Sequence, residues 1–123
     1  MVKGIGIDLI EINRVKEVFL RFPQKFVERI FTEAEQDYIF SHKNLYPYLA
    51  VRFAAKEAVM KSLGCGWGEI GFKEIEVIRN DSGKPGVRLS GRALQRAKNL
   101  KITEVLISLS HSRNYGIAQA VSQ

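Results

Sequence analysis

Four side chains in this sequence have the types and spacing to do chemistry together: Asp8, Glu57, Lys61 and His111. Asp8 follows Gly4-Ile5-Gly6-Ile7, an alternation that puts it on the strand face of the two glycines, where a ligand or another backbone can come close. A carboxylate there suits a metal ion or a general base, although a lone Asp at a strand end is also an ordinary helix cap or surface group. Glu57 and Lys61 are four residues apart on a helical stretch that also carries Ala54, Ala55 and Ala58. The plain reading of that pair is an exposed ion pair contributing about 0.3–0.5 kcal/mol. The chemical reading is that small alanines leave room for a ligand beside a carboxylate suited to Mg²⁺ and an ammonium suited to phosphate or proton transfer. His111 sits between Ser110 and Ser112 at the end of an apolar strand. A serine–histidine hydrolase dyad is not expected, because those serines flank the histidine, point to the opposite strand face and lack a nucleophile elbow. With no second histidine nearby, an all-oxygen Mg²⁺ site at Asp8 and Glu57 is favoured over a transition-metal site.

The glycines make no familiar nucleotide fingerprint. Gly4-x-Gly6 has Leu9 where a dinucleotide motif needs its third glycine, and Gly64, Gly66 and Gly68 are not followed by Gly-Lys-Ser/Thr. Lys56 falls inside the apolar arc of its helix, defined by Leu49, Phe53, Met60 and Leu63, so it must snorkel or meet a partner.

The elements that would position these residues can be read from periodicity and punctuation. A strand is expected over Val2 to Ile10, then a helix from Glu11 to about Phe22 with Ile12, Val15, Val18 and Phe19 on one side, broken by Pro23. Thr32 and Glu35 form a capping-box pattern that starts a second helix through about His42. Pro47 opens an alanine-rich helix over Tyr48 to Leu63, which the three glycines end. Strands near Lys73–Arg79 and Gly86–Leu89 flank the turn Asn80-Asp81-Ser82-Gly83, and Ser90 is expected to cap a short helix through about Asn99. A last hairpin joins Glu104–Ser110 to Tyr115–Val121. Strands and helices come in blocks, which favours an α+β fold: an antiparallel sheet packed with helices, with residues 1–123 as a single domain.

Composition narrows the partners. The chain has 19 Lys+Arg against 13 Asp+Glu, a formal charge of +6, which implies an acidic partner without choosing among nucleic acid, membrane, polyphosphate and acidic protein. One cysteine, Cys65, excludes an intrachain disulfide and a cysteine-rich zinc site. Asp8 and Glu11 interrupt any signal-peptide core, and no stretch nears the roughly 20 apolar residues of a bilayer span. A cytoplasmic protein is expected. An RNA-binding module would also suit the charge, but the basic residues are dispersed and no aromatic stacking motif accompanies them. A Mg²⁺-dependent phosphohydrolase could use the same carboxylates with water as nucleophile.

Three segments together are more specific than any one. Gly4-Ile-Gly-Ile-Asp8-Leu-Ile-Glu11, Arg52-Phe-Ala-Ala-Lys56-Glu57-Ala and Ser108-Leu-Ser110-His111-Ser112 resemble the holo-acyl-carrier-protein synthases, the small trimeric branch of the 4′-phosphopantetheinyl transferases. The resemblance runs in order along essentially the whole chain, and the middle segment is its most specific part. It implies transfer of the phosphopantetheine arm of coenzyme A to a serine of an apo acyl carrier protein, in fatty acid biosynthesis, with adenosine 3′,5′-bisphosphate leaving. Asp8 and Glu57 match the family's metal-binding carboxylates, Lys61 its lysine beside the pyrophosphate, and His111 its histidine beside the nucleotide. Arg52, Gly64, Gly83 and Pro85 fall in segments that line the coenzyme A site, which in the family lies between protomers of a homotrimer. Arg14 matches the basic first helix that docks the acidic carrier, with Arg21 joining it. The partners so implied are coenzyme A, Mg²⁺ and the carrier, rather than nucleic acid or a membrane. Val51 stands where the family commonly has a smaller residue, and Cys65 where threonine is common. The loop before Tyr48 is short, with Lys43 its one strong cation, so the partner of the coenzyme A 3′-phosphate is left unassigned.

Overall fold

The computed structural model describes all residues, Met1–Gln123. Strand β1 (Gly4–Glu11) leads directly into helix α1 (Ile12–Arg21). Helices α2 (Pro23–Ile30), α3 (Glu33–Phe40) and α4 (Tyr46–Ser62) follow. A single 3₁₀ turn at Phe72–Glu74 precedes strands β2 (Ile75–Arg79) and β3 (Pro85–Leu89), then helix α5 (Gly91–Asn99) and strands β4 (Val105–His111) and β5 (Tyr115–Ser122). The class is α+β, as the blockwise pattern implies. β1, β5 and β4 form an antiparallel sheet in that order, and β2 pairs with β3 in a separate hairpin. The earliest strand is thus bonded to the latest, with Asp8 opposite Ala118.

Helix α4 crosses the sheet and carries most of the core. Its Ala54, Ala55, Ala58, Val59 and Met60 are buried against Ile107, Ala118 and Ala120 of the sheet and Ile75 and Val77 of the hairpin. Gly4 and Gly6 explain how the strand comes so near. A Cβ on Gly4 would collide with the carbonyl oxygen of Ser62, and one on Gly6 with that of Ala58, so only glycine lets β1 lie on the helix backbone. Asp8 is the next residue on the same face and is delivered to the side of α4. A second cluster, including Ile12, Val15, Phe19, Val27, Ile30, Phe31 and Leu49, is filled largely by aromatic edges such as Phe19 against Phe26 and Tyr46.

Most expected elements form within a residue or two of their expected bounds, and four expectations are corrected. Pro23 follows the end of α1 as expected, but it also occupies the first turn of a further helix, α2, that was not expected, where a missing N–H is harmless. Val18 is exposed rather than core, while Ile12, Val15 and Phe19 are buried. Ser90 makes no side-chain cap; the Glu74 carboxylate instead accepts from the Arg92 N–H at the start of α5. Phe53 is only partly buried, stacked on Phe72 at a ring-centroid distance of 5.6 Å.

The capping box is present as read: Thr32 Oγ1 accepts from the Glu35 N–H, and Glu35 Oε1 from the Thr32 N–H. Glu35 is also the partner that Lys56 needs. The Lys56 ammonium, fully buried, donates to Glu35 Oε1 at 2.7 Å and to the carbonyls of Phe72 and Ile75 at 3.0 and 2.6 Å. The other carboxylate oxygen, Glu35 Oε2, accepts from the Val77 N–H at 2.8 Å. One buried ion pair therefore ties α3, α4 and β2 together with all three ammonium donors used. Burial pulls the ammonium below its ordinary range, with Glu35 acting in the opposite sense.

Candidate active site

Asp8 and Glu57 come together where β1 passes over α4, on the wall of a cavity of about 800 Å³. Glu57 sits one turn before Lys61, whose ammonium donates to the Ile7 carbonyl at 2.8 Å and lies 3.5 Å from Asp8 Oδ1. The expected pairing of Lys61 with Glu57 is replaced by this pairing with Asp8, because β1 lies closer to the lysine than its own helical neighbour does. Partial burial raises the Asp8 carboxyl above its usual range, and Lys61 acts against that rise. Burial and then the Asp8 charge push Glu57 up to about 6, with Lys61 again opposing. Two carboxylates that repel one another in a partly desolvated corner are suited to a shared cation.

The donor set fits Mg²⁺. Both groups offer hard oxygen atoms; the chain holds no cluster of three or more His, Cys, Asp or Glu side chains, so these two carboxylates stand without a third such ligand. A pair of carboxylates leaves positions for water and for the oxygens of a phosphorylated substrate, the usual coordination of Mg²⁺.

The rest of that cavity is mainly apolar, with Leu9, Val18, Phe22, Phe26, Phe53, Trp67 and Phe72 on its wall, and Arg14, Lys25 and Arg29 add positive charge. Arg14, on α1, is on that wall, whereas Arg21 is exposed at the end of α1 and outside the lining. The aromatic and basic residues of α2 are not expected from the sequence as site residues, because they follow Pro23, which reads as a helix stop. The spacing of Phe26, Val27 and Ile30 was the available signal.

Arg52, Gly83, Pro85 and His111 gather elsewhere, around a cavity of about 210 Å³ that shares no lining residue with the first. Arg52 is buried on α4, and burial lowers its pKa from the ordinary guanidinium value. Its guanidinium carbon lies 3.9 Å from the Tyr38 ring centroid. His111 is exposed and meets the edge of Tyr48, which stacks on His42 at 3.5 Å. Val51 lines this cavity too, accommodated by Gly116, where a Cβ would stand 3.0 Å from the Val51 methyl. Tyr38, Tyr48 and Arg79 belong to the same wall and were missed, since nothing in their local sequence marks them. Gly64 lines neither cavity. It adopts a φ of +69° at the end of α4, and its carbonyl accepts from Arg96, so its evident role is to stop the helix.

Comparison with known proteins agrees with these features. A model of the 4′-phosphopantetheinyl transferase superfamily matches residues 4–120. A holo-acyl-carrier-protein synthase of Natranaerobius thermophilus is 44% identical over 121 residues, covering 98% of this chain and 97% of its own. Among solved structures, the synthase of Neisseria meningitidis superposes with a TM-score of 0.91 at 31% identity, covering 100% of this chain and 99% of that one. The Helicobacter pylori synthase, solved in complex with coenzyme A, gives a TM-score of 0.85 at 31% identity over 97% of this chain and 99% of its own. The chain belongs to the 4′-phosphopantetheinyl transferase superfamily and, within it, to the holo-acyl-carrier-protein synthases. It is accordingly an enzyme of the transferase class.

Proposed function

We propose that the protein transfers the 4′-phosphopantetheine group of coenzyme A to a serine hydroxyl of an apo acyl carrier protein, with residues 1–123 working as one domain in support of fatty acid biosynthesis. The observation that carries the reading is the meeting of Asp8 and Glu57 beside Lys61, at the rim of an apolar cavity with basic residues on its wall. The serine oxygen forms a new bond to the phosphorus that carries pantetheine. The bond from that phosphorus to the bridging oxygen breaks, and adenosine 3′,5′-bisphosphate leaves with the electron pair. Asp8 and Glu57 would hold Mg²⁺, which when bound would supply charge neutralisation at the pyrophosphate. Lys61 would contribute positive charge from the same side, and a carboxylate of the pair would take the hydroxyl proton. The apolar wall suits the pantetheine arm. Arg14, with Arg21 further along α1, presents charge complementary to an acidic carrier helix.

A homotrimer is part of the proposal. On the sheet face turned away from α4, Ile5, Ile7 and Leu9 are 69, 56 and 64% exposed, a patch more typical of an interface than of a monomer surface. The separation of Asp8, Glu57 and Lys61 from Arg52, Gly83, Pro85 and His111 within one chain suits a substrate bridging two protomers. The test is incubation with coenzyme A, Mg²⁺ and an apo acyl carrier protein. The carrier should gain the mass of one phosphopantetheine and adenosine 3′,5′-bisphosphate should appear. An unmodified carrier, with a control synthase active in parallel, would refute the reading.

A further inference from the structure

The Glu57 carboxylate takes part in none of the chain's ion pairs, and the charge of Asp8 opposes its approach. Lys61, four residues on, is turned to Asp8 and the Ile7 carbonyl instead. What places Glu57 is therefore the helix that carries it. The preceding residue on α4 is Lys56, fully buried, whose ammonium donates to Glu35 Oε1 and to the carbonyls of Phe72 and Ile75. Those three acceptors belong to α3, to the 3₁₀ turn and to β2. Two residues beyond, the Ala58 carbonyl is the surface on which Gly6 of β1 rests. At 3.6 residues per turn, Ala58 lies about 200° round the helix from Lys56. The helix is thus gripped on opposite sides, and Glu57 projects between the two grips.

We propose that Lys56 is a positioning residue of the active site: anchored by Glu35, it fixes the rotation of α4 at which Glu57 meets Asp8 around a divalent cation. The inference rests on the transferase reading and adds to it a residue that touches neither substrate nor metal. Geometry sets the scale. A carboxylate stands about 6 Å from its helix axis, so a rotation of about 10° displaces it by about 1 Å. Mg²⁺ takes its oxygens at about 2.0–2.1 Å in near-ideal octahedral geometry and does not tolerate such a displacement. Three directional hydrogen bonds resist that rotation. An apolar side chain of similar length, held by non-directional contacts, does not.

The Phe72 carbonyl that Lys56 holds belongs to a residue whose ring lines the cavity with Glu57. That ring stacks on Phe53, one turn before Glu57, and meets the edge of Trp67 at a centroid distance of 5.5 Å. Lys56 therefore fixes the aromatic wall and the carboxylate together, from behind both. Stability alone is a poor account of the pair, because the desolvation of a buried ion pair offsets much of its attraction and register is its best-attested use. Neither Lys56 nor Glu35 lines either cavity, so an effect of either on a bound metal must pass through α4 or Phe72.

The test measures Mn²⁺ affinity, from the electron paramagnetic resonance signal of the free ion, beside transfer kinetics in Lys56→Met and Glu35→Gln. Both are read at a temperature where circular dichroism finds the protein folded. Ile102→Ala, in the core but outside both cavities, is the control for destabilisation without loss of the anchor. Lys56→Met should bind Mn²⁺ about tenfold more weakly and lose about tenfold or more in kcat. Its KM for coenzyme A and for the carrier should stay within about threefold of wild type. Glu35→Gln keeps the shape and removes the charge that anchors the ammonium, so it should weaken Mn²⁺ binding about threefold. Ile102→Ala should leave Mn²⁺ affinity and kcat unchanged. Unaltered Mn²⁺ affinity in Lys56→Met, or in Glu35→Gln where Lys56→Met does not hold its fold, would overturn the proposal. So would an equal loss in Ile102→Ala, or a wild type that binds no Mn²⁺. If the wild type binds Mn²⁺ but transfers nothing, the transferase reading falls instead, and the Mn²⁺ affinities still decide for or against Lys56.

Discussion

Partial burial and the neighbouring Asp8 charge together hold Glu57 near 6, above the ordinary 4.5, so the folded chain binds that proton more tightly than the unfolded chain does. The stabilisation linked to its protonation is full below 4.5 and is lost as the pH rises through about 6. Removing the charge should therefore help the fold while harming the chemistry. In metal-free buffer at pH 7.5, Glu57→Gln is expected to melt roughly 2–5 °C above the wild type, a screened effect of under about 1 kcal/mol. The gap should close as the pH falls to 4.5. Millimolar Mg²⁺ should raise the melting temperature of the wild type and leave Glu57→Gln unmoved, and transfer by the variant should drop at least about a hundredfold. Equal melting of the two proteins at pH 7.5, or equal response to Mg²⁺, would contradict the shared cation site. Asp8 was readable as a site residue because its strand mates Gly4 and Gly6 announce a close approach in their spacing alone. Arg79 and Tyr38 were not, because they lie 41 positions apart, on β2 and α3, and only the fold brings them together.

At the scale of elements, the Lys56–Glu35 pair holds α4 in the position that Glu57 and Arg52 require. With both side chains dry and every ammonium donor engaged, removing one partner strands the other as a buried charge. Lys56→Met should cost about 3–5 kcal/mol in chemical denaturation. Adding Glu35→Leu to that change should recover only part of the loss, since Glu35 also accepts from the Thr32 and Val77 N–H groups. Full recovery in the double variant would mean that those backbone bonds contribute little. The helical wheel showed that Lys56 needed a partner but could not name it. The capping box identified Glu35 as a helix-start residue, and such residues are normally wet, so its burial was invisible without α3, β2 and α4 in place. Pro23 misled for a related reason: proline closes a helix when it follows one and opens a helix when it precedes one, and here it does both within two residues.

For the whole molecule, the division of the site between two cavities makes a prediction about mixed assemblies. Asp8→Ala and Arg52→Ala should each be inactive alone. Co-expressed in equal amounts, they should form mixed trimers in which roughly a quarter of the interfaces join an intact carboxylate side to an intact guanidinium side. Activity near that fraction of wild type, measured per protomer after purification, supports a site shared by neighbours. Absence of any recovery, with mixing verified by mass, would place the whole site within one chain.

The pairing of β1 with β5 has a consequence for how the enzyme comes into being. Asp8 faces Ala118 across the ladder, and β5 is also the central strand that β4 needs. During synthesis, β1 and the helices can emerge and collapse long before that central strand exists. Contacts so distant in sequence form late and slowly. Until they form, the Asp8 carboxylate has no fixed position and the apolar side chains of β1 remain unpaired, so a nascent or truncated chain lacks the chemistry of the complete one.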